Sequence, residues 1–284
     1  MAHISTKISL TIISQVFLSI FGFISIILVA RFLGSEILGS IGFSLSIVGI
    51  FSLINQLGFK HAHIKRISEG LNFEDCLATF IWIKITLTFL FSTITFFYVF
   101  WFTNFTYEIK ILICIFILYF SIQNLANIFI NTYQGLTESA KENISLSSGE
   151  LSRILGTFFV VFMGLGAFAL SLTYVLSSLV TLVFCFYFFK GYKIGNPSLQ
   201  IFKSYFSYAI AVFIPAIFGQ VATNIDKIFI GLYWDAFEVG QYFAIQKLIL
   251  PLLFISSSFQ ALLMPQISKH KTKNNDKEIE NLVY

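Results

Sequence analysis

The chain has 284 residues, of which 57% are hydrophobic and only 11% are charged. In a soluble domain about a quarter of the residues are charged. This composition therefore excludes an ordinary water-soluble protein and indicates an integral membrane protein. The formal net charge is +4, but there is no soluble domain on which basic residues could form a nucleic-acid-binding surface. This excludes nucleic acid as a partner.

Uncharged segments long enough to cross about 30 Å of hydrocarbon, at about 1.5 Å per residue, recur along the whole chain. The first of these segments, 8–30, is longer than the apolar core of a secretory signal, so we interpret it as a membrane span. The uncharged segment 154–189 is too long for one crossing, and Gly164-Leu-Gly166 is the predicted turn within it. The sequence therefore predicts an all-α integral membrane protein with about eight transmembrane helices. These are 8–30, 37–59, 76–101, 111–133, 144–163, 168–189, 204–232 and 239–268.

Basic residues predict the orientation of these spans. With eight spans both termini lie on one side of the membrane, and twelve Lys and Arg residues fall on that side against two, Arg31 and Lys110, on the other. This predicts a multi-pass protein of the cytoplasmic (inner) membrane with both termini in the cytoplasm. The segment KHAHIKRISEG, residues 60–70, is predicted to be a cytoplasmic loop that anchors the chain by its positive charge.

The outward corner RFLGSEILGSIGFS, residues 31–44, has a counterpart in LYWDAFEVGQYFAI, residues 232–245, when Gly39 is aligned with Gly240. Six helices separate the two, so they have the same orientation, as in transporters built from parallel repeats. The alternative is that any corner between two spans collects Gly, Asp and interfacial aromatic residues. The repeat predicts a first six-helix half at 1–200, the start of a second half at 201–268, and a charged cytoplasmic tail or interhelix loop at 269–284.

Three segments carry a family resemblance: ARFLGSEILGSIGFSLSIVGIFSLINQLGF, YQGLTESAKENISLSSGELSRILG and NIDKIFIGLYWDAFEVGQYFAIQKLILPLLFISSSFQALLMPQISK. They resemble the Wzx-type O-antigen and polysaccharide repeat-unit flippases of the multidrug/oligosaccharidyl-lipid/polysaccharide exporter superfamily. The resemblance implies a bundle of two six-helix halves, usually of twelve or more spans. This chain departs from that pattern because it ends at Tyr284, after the first two helices of the second half. We therefore expect a truncated product or a fragment.

The resemblance also implies a substrate and partners. A polyprenyl-diphosphate-linked oligosaccharide would be moved from the cytoplasmic to the outer leaflet by alternating access, among membrane lipids, with a polysaccharide polymerase and a chain-length regulator as partners. No cofactor is implied. Because the diphosphate is anionic and the sugar is polar, the path through hydrocarbon needs cationic and hydrogen-bonding groups that face a wet interior.

Two basic residues lie inside predicted spans of the first half. Arg153 lies 11 residues before Gly164, or about 16 Å from the outward corner and near mid-depth. Glu150, one turn earlier, would neutralise it in place, so a self-paired structural role and an anion-binding role are both open. Lys84 is expected to reach the cytoplasmic interface with its long side chain.

Charged residues and prolines also mark the start of the second half. Asp226 and Lys247 lie at matching depth on consecutive antiparallel helices and are predicted to face each other, whereas Lys227 points to a different face from Asp226. Lys247 is the better substrate candidate because Pro251, four residues on, cannot donate to its carbonyl. Pro215 has the same effect in the preceding helix, so both prolines are predicted hinges.

Amides on one face of the fourth predicted helix form a third group, Asn124, Asn127 and Asn131. Such a stripe is typical of hydrogen bonds between helices, and the alternative is a set of sugar-facing amides. His61 and His63 lack the further ligands that a zinc site requires. The candidate site thus contains Arg153, Lys247, Lys227, Lys84, Asn124, Asn127 and Asn131, with Glu150 and Asp226 as charge-pair or ion-coupling residues and Pro215 and Pro251 as hinges.

Two alternatives to a flippase remain. A cation-coupled multidrug antiporter of the same superfamily would use Asp226 and Glu150 to bind a proton or sodium, but four membrane cations against two acids favour an anionic substrate. A membrane glycosyltransferase or polysaccharide polymerase would carry catalytic residues in a large loop. The sequence shows no nucleophile–base arrangement, phosphate-binding glycine loop or metal cluster, so we expect that the protein is not an enzyme.

Overall fold

A computed structural model of the protein describes residues 18–247 and 249, which form helices joined by short turns. The chain divides into two compact units, 1–243 and 244–284, and the described residues of the second, 244–247 and 249, are helical. The helices of the first unit are α1 (Leu18–Leu33), α2 (Ser35–Phe51), α3 (Leu53–Gln56), α4 (Phe59–Ser68), α5 (Phe73–Trp101), α6 (Tyr107–Gly135), α7 (Ser139–Phe162), α8 (Ala167–Phe188), α9 (Leu199–Tyr233) and α10 (236–243).

Within the described residues, the five helices α5 to α9 are long and apolar enough to cross a membrane. They confirm the predicted helices from 76–101 to 204–232. The predicted turn is also confirmed, because α7 ends at Phe162, Gly164 has a positive φ of 65°, and α8 begins at Ala167. The predicted helices 8–30 and 239–268 lie partly outside the described residues.

The second predicted helix, 37–59, is wrong in one respect, because the structure breaks it. The chain bends by 43° between Ser35–Phe51 and Leu53–Ser68, and this bent pair would provide a sixth span. The predicted loop at 60–70 is also wrong, since most of it forms α4. A hydropathy pattern does not detect α4 because its short apolar face is mixed with basic residues. That face packs into the bundle through Phe59, Ala62, His63 and Ile67.

Small residues allow the helices to approach closely. A Cβ placed on Gly149 of α7 would lie 2.8 Å from the carbonyl oxygen of Ser177 on α8, and one on Gly156 would lie 3.2 Å from the Thr173 methyl group. Lipid tails are as apolar as the side chains, so tight packing of this kind, rather than the hydrophobic effect, holds membrane helices together. The α7–α8 pair therefore forms a close hairpin on which the other helices pack.

The connector between α8 and α9 is tied to the ends of other helices. The backbone N–H of Asn196 donates to Asp75 Oδ1 at 3.0 Å, and the Tyr192 hydroxyl donates to Glu138 and accepts from Lys141. Burial, together with the hydrogen bond to Glu138, raises the pKa of Tyr192. The connector thus fixes where α9 begins beside the preceding helices.

Candidate functional site

Two glycines bring the N-terminal ends of α2 and α10 into backbone contact. A Cβ on Gly39 would overlap the carbonyl group of Ala236, and a Cβ on Gly240 would overlap the carbonyl oxygen of Ser35. The alignment that pairs Gly39 with Gly240 also pairs Ser35 with Ala236, so the two contacts are equivalent under a local two-fold relation. The two corners that the sequence aligns thus meet in the structure, and the division into two halves that the repeat predicts stays a prediction.

Polar groups from α2 and α9 meet further along the same boundary. Gln220 Nε2 donates to the carbonyl oxygen of Gly49 at 2.9 Å and to Ser52 Oγ at 3.3 Å. The Asn224 carboxamide packs against Gly49, where a Cβ would lie 2.9 Å from Asn224 Oδ1. We name Gly49, Ser52, Gln220 and Asn224 the polar seam. At helical rise Asn224 lies about 15 Å from the α9–α10 corner, which is half the thickness of a typical hydrocarbon core.

The polar seam coincides with the break between α2 and α3. Ser52 is the residue between the two helices, and its hydroxyl donates back to the carbonyl oxygen of Gly49 at 2.6 Å. Such back-bonding competes with the helical ladder and bends helices. Gln220 of α9 contacts both groups at the break, so a side chain of α9 holds the bend between α2 and α3.

One turn beyond the break lies a buried polar group that we name the Lys84 cluster, made of Asn55, Lys84, Thr88 and Asn124. Lys84 Nζ donates to the carbonyl oxygen of Asn55 at 2.8 Å and to Asn124 Oδ1 at 2.9 Å. Asn124 Nδ2 donates in turn to Thr88 Oγ1 and to Asn55 Oδ1. Lys84 is 3% exposed, Asn55 3% and Asn124 4%, and Thr88 is half-buried, so α3, α5 and α6 bury the amine and both amides of this cluster.

The position of Lys84 corrects the prediction that it reaches the cytoplasmic interface, which is wrong. A long side chain extends to the interface when no polar group lies closer. Here Asn55 and Asn124 offer two oxygen acceptors inside the bundle. Among the described residues, no carboxylate lies within 4 Å of Lys84 Nζ, so Lys84 is a basic group held by neutral partners.

The predicted pair on α7 is confirmed. Arg153 Nε donates to Glu150 Oε2 at 2.6 Å and its Nη2 donates to Glu150 Oε1 at 2.9 Å. The guanidinium lies 5.3 Å from the ring centroid of Tyr174, within cation–π distance. The Arg153 side chain is 17% exposed and that of Glu150 is 45% exposed. Glu150 thus neutralises Arg153 and leaves the pair reachable from outside the bundle.

Asp226 and Lys227 bind different groups, as predicted for neighbours on different faces. Asp226 Oδ2 accepts from the Tyr242 hydroxyl at 2.5 Å, across the α9–α10 corner. Lys227 is buried, and its Nζ donates to the carbonyl oxygen of Thr223 at 2.5 Å. Lys247 belongs to the second unit, which is described separately, so its pairing with Asp226 stays a prediction.

The remaining candidates have mixed outcomes. Asn124 and Asn131 are buried and Asn127 is half-buried, and the bonds of Asn124 to α3 and α5 fit the interpretation of amides as bonds between helices. A sugar-facing role for the stripe stays a prediction. Pro215 lies inside a continuous α9, where its role as a hinge is untested, and Pro251 lies outside the described residues.

His63 lies in the core of the bundle. Its Nδ1 bonds to the Tyr205 hydroxyl at 2.9 Å, its Nε2 bonds to Thr132 Oγ1 at 3.0 Å, and its ring stacks on Phe80. No cluster of metal-ligating side chains occurs in the part of the chain that the structure describes. His63 therefore joins α4, α6 and α9.

Sequence reasoning did not identify Asn55, Ser52, Gln220 or Asn224. Each is a single uncharged polar residue in an apolar segment. No neighbouring residue in the sequence marks it as different from an Asn, Gln or Ser that a membrane helix merely tolerates. The signal that could have found them is their similar depth in the predicted spans. Gln220 and Asn224 are one turn apart on one helix, and Ser52 and Asn55 are three residues apart on another. Depth alone does not say which of them meet.

Comparisons with known proteins agree with this architecture. The family described as polysaccharide biosynthesis protein matches residues 4–271. The chain is 24% identical, over 267 residues, to the probable low-salt glycan biosynthesis flippase Agl15 of Haloferax volcanii, and the match covers 92% of this chain and 55% of the relative. It is also similar to a solved structure titled as an inward-facing conformation of a multidrug resistance MATE family transporter of the MOP superfamily. That match has a TM-score of 0.68 and 16% identity, and it covers 93% of this chain and 65% of the other. The chain spans about half the length of the curated relative Agl15.

Proposed function

The chain belongs to the polysaccharide biosynthesis protein family, and from this premise we propose that it translocates a polyprenyl-diphosphate-linked oligosaccharide, such as an O-antigen or another polysaccharide repeat unit. The protein is a flippase-like multi-pass membrane protein with a fold similar to that of MOP superfamily transporters. The proposed direction is from the cytoplasmic to the outer leaflet. The proposed location is the cytoplasmic membrane, with both termini in the cytoplasm.

The observation that carries the proposal is the basic group beside the polar seam. Lys84 donates to the Asn55 carbonyl, and the Asn55 backbone N–H donates to the Ser52 carbonyl at 2.9 Å, so a short chain of hydrogen bonds connects the amine to the seam. A basic group with neutral partners inside hydrocarbon is costly, and such groups are typical of ion and substrate paths. Its charge suits a diphosphate better than a cationic drug.

The contact of Gly39 with Gly240 supports alternating access as the mechanism. It brings the backbones of α2 and α10 together, and the ion pairs that the structure describes join residues three or four apart elsewhere in the chain, so the contact can separate without breaking them. We propose that the seam opens to one side of the membrane when this contact is closed, and to the other side when it separates. In this mechanism the protein binds and reorients its substrate and makes or breaks no covalent bond in it, so it is not an enzyme.

A reconstitution assay tests the proposal. The full chain is placed in liposomes that contain a fluorescent polyprenyl-diphosphate-linked disaccharide, and dithionite quenches the fraction in the outer leaflet. We expect the protein to make the inner-leaflet fraction accessible, and we expect Lys84→Ala, Arg153→Ala or Lys247→Ala to slow this about tenfold, the effect of losing one charged hydrogen bond. Lys193→Ala, in the exposed connector, is the control.

Two results would contradict the proposal. The substrate class is wrong if the full chain moves no glycolipid but exports a cationic dye against a pH gradient, which would support an antiporter. The assignment of an anion-binding site is wrong if glycolipid moves and the Lys84, Arg153 and Lys247 variants all match the rate of the Lys193 control.

A further inference from the structure

The hydrogen bonds of the Lys84 cluster match a neutral amine better than an ammonium ion. An ammonium has three hydrogens to donate, and Lys84 Nζ has two oxygen acceptors, on Asn55 and Asn124. The Phe80 ring centroid lies 5.7 Å from Nζ, at the outer limit of a cation–π contact, which stabilises an ammonium less than a third oxygen acceptor would. A neutral amine would donate both of its hydrogens to these two oxygens and keep a lone pair free to accept.

A donor without a partner occurs in the same cluster. Asn55 Nδ2 is buried and has no acceptor in the part of the chain that the structure describes. An unsatisfied buried donor is costly. It belongs to the residue whose carbonyl oxygen accepts from Lys84. When Lys84 is protonated, the cluster therefore has two donors without oxygen acceptors, the third ammonium N–H and Asn55 Nδ2. Loss of one proton from Lys84 removes the first donor and supplies a lone pair as an acceptor in the same cluster.

The charges around Lys84 act in the same direction. The titratable groups that face it are Lys60 and His63, both on α4, while α3 offers the Asn55 backbone and α6 the Asn124 amide. Lys60 carries a like charge, and both ring nitrogens of His63 are engaged by Tyr205 and Thr132. No described carboxylate forms an ion pair with Lys84, so nothing in these elements neutralises an ammonium ion.

We propose that Lys84 is a proton-binding site coupled to the α2–α3 break, and that it binds a proton when an anion occupies the polar seam and releases it when the anion leaves. The neutral amine takes one proton from water to become an ammonium ion and returns it to water on release. No other bond changes. This inference rests on the proposed function, because it makes the anionic substrate and one proton move together.

The hydrogen bonds give the path of the coupling. Protonation adds a donor at Lys84, which changes its bond to the Asn55 carbonyl in α3. The Asn55 N–H is bonded to Ser52 at the break, and Gln220 contacts the same serine from α9. A change in the bend alters the tilt of α2, whose other end carries the Gly39 contact. By reciprocity, an anion that favours the ammonium ion is itself bound more tightly at low pH.

A spectroscopic measurement tests the protonation directly and needs no substrate. The full chain with ¹⁵N-labelled lysine is studied in lipid by solid-state NMR between about pH 6 and 9, a range in which an exposed lysine stays protonated. The Lys84 ¹⁵Nζ signal is identified by its absence in Lys84→Arg and by its through-space coupling to the Asn124 side-chain carbon. We expect it to move from the ammonium to the amine position as the pH rises. If it stays at the ammonium position throughout, the inference is wrong.

A second measurement follows the conformational response. Ser35→Cys, in a Cys114→Ser background, reports on the Gly39 contact through its labelling rate with a membrane-impermeant maleimide. Because maleimide reacts with the thiolate, whose fraction rises with pH, each rate is divided by the rate of Glu108→Cys, an exposed site away from the Gly39 contact, at the same pH. We expect this ratio to change about fivefold or more between about pH 6 and 9, a typical size for coupling between two sites. Lys84→Met and Lys84→Arg should remove this dependence. Lys65→Met, at an exposed lysine, is the control and should keep it.

The outcomes separate this inference from the proposed function. A pH response that persists in both Lys84 variants but disappears in His63→Gln would overturn it and assign the proton to His63. Titration of Lys84 in a protein that moves no glycolipid would sink the proposed function and leave the proton site intact. If the protein moves glycolipid but its Lys84 signal stays at the ammonium position, the proton site is wrong and the proposed function stands.

Discussion

His63 shows what a polar side chain requires in order to lie in the core of this bundle. Both of its ring nitrogens are bonded, to Tyr205 and Thr132, and the ring face lies on Phe80. With every polar atom satisfied, a neutral imidazole adds hydrogen bonds between helices without leaving an uncompensated charge. The Lys84 cluster, by contrast, leaves a donor of Asn55 unsatisfied. That difference distinguishes a structural polar group from one we assign to function.

We predict that Tyr205→Phe destabilises the protein by about 1–3 kcal/mol, since it leaves a His63 nitrogen buried without its partner. Thermal unfolding of the purified full chain in detergent, followed by tryptophan fluorescence, measures the change. Tyr187→Phe removes the same hydroxyl from an exposed tyrosine and should have little effect. Equal stability of the two variants would show that the His63–Tyr205 bond contributes nothing.

Among the helices, α2 combines the most constraints. Its N-terminal end meets α10 at Gly39, its last turn passes Asn224 at Gly49, and it ends at Phe51, just before Ser52, where Gln220 holds the bend. Glycine is costly in a helix, by roughly 0.5–1 kcal/mol against alanine. It is retained at these two positions because a backbone or an amide of another helix occupies the place of the Cβ. The path of α2 therefore depends on α9 and α10 as much as on its own sequence.

We predict opposite effects for the same substitution at two helical glycines. Gly39→Ala should lower the free energy of unfolding by about 1–3 kcal/mol, because the new Cβ overlaps the Ala236 backbone. Gly219→Ala, where no atom lies within 4 Å of the added Cβ, should be neutral or stabilising by about 0.5–1 kcal/mol. Thermal unfolding compares the pair. A Gly39 variant as stable as the Gly219 variant would argue against the close contact.

At the scale of the whole molecule, the spans and the charges of the loops decide the orientation. The Gly39–Gly240 contact belongs to the end that carries few basic residues, whereas the α8–α9 connector contains Lys190 and Lys193. Basic loops stay in the cytoplasm, so the connector is expected there and the glycine contact at the outer surface.

Cysteine labelling in intact cells, with Cys114 replaced by serine, tests this orientation. Glu36→Cys, exposed at the start of α2, should react with a membrane-impermeant maleimide added outside. Lys193→Cys should react only after the cells are permeabilised. The reverse pattern would place the connector outside and the α2 corner in the cytoplasm, and would reverse the proposed direction of translocation.

The sequence by itself determined what depends on composition and on short spacing. Membrane insertion follows from long uncharged segments, the turn at Gly164 from a glycine within a segment too long for one crossing, and the Glu150–Arg153 pair from a three-residue spacing on one helix. Each of these is a property of neighbouring residues, so it can be read without knowing how the helices pack.

Only the tertiary structure decided where the isolated polar residues meet. Lys84 bonds to an amide 40 residues away, and Gln220 contacts a carbonyl oxygen 171 residues away. The break at Ser52 and the helix that follows it also depend on partners in α6 and α9. In hydrocarbon a polar side chain takes the nearest available partner, and helix packing determines which partner is nearest. The proposed proton site at Lys84 is therefore a product of packing that the sequence alone does not show.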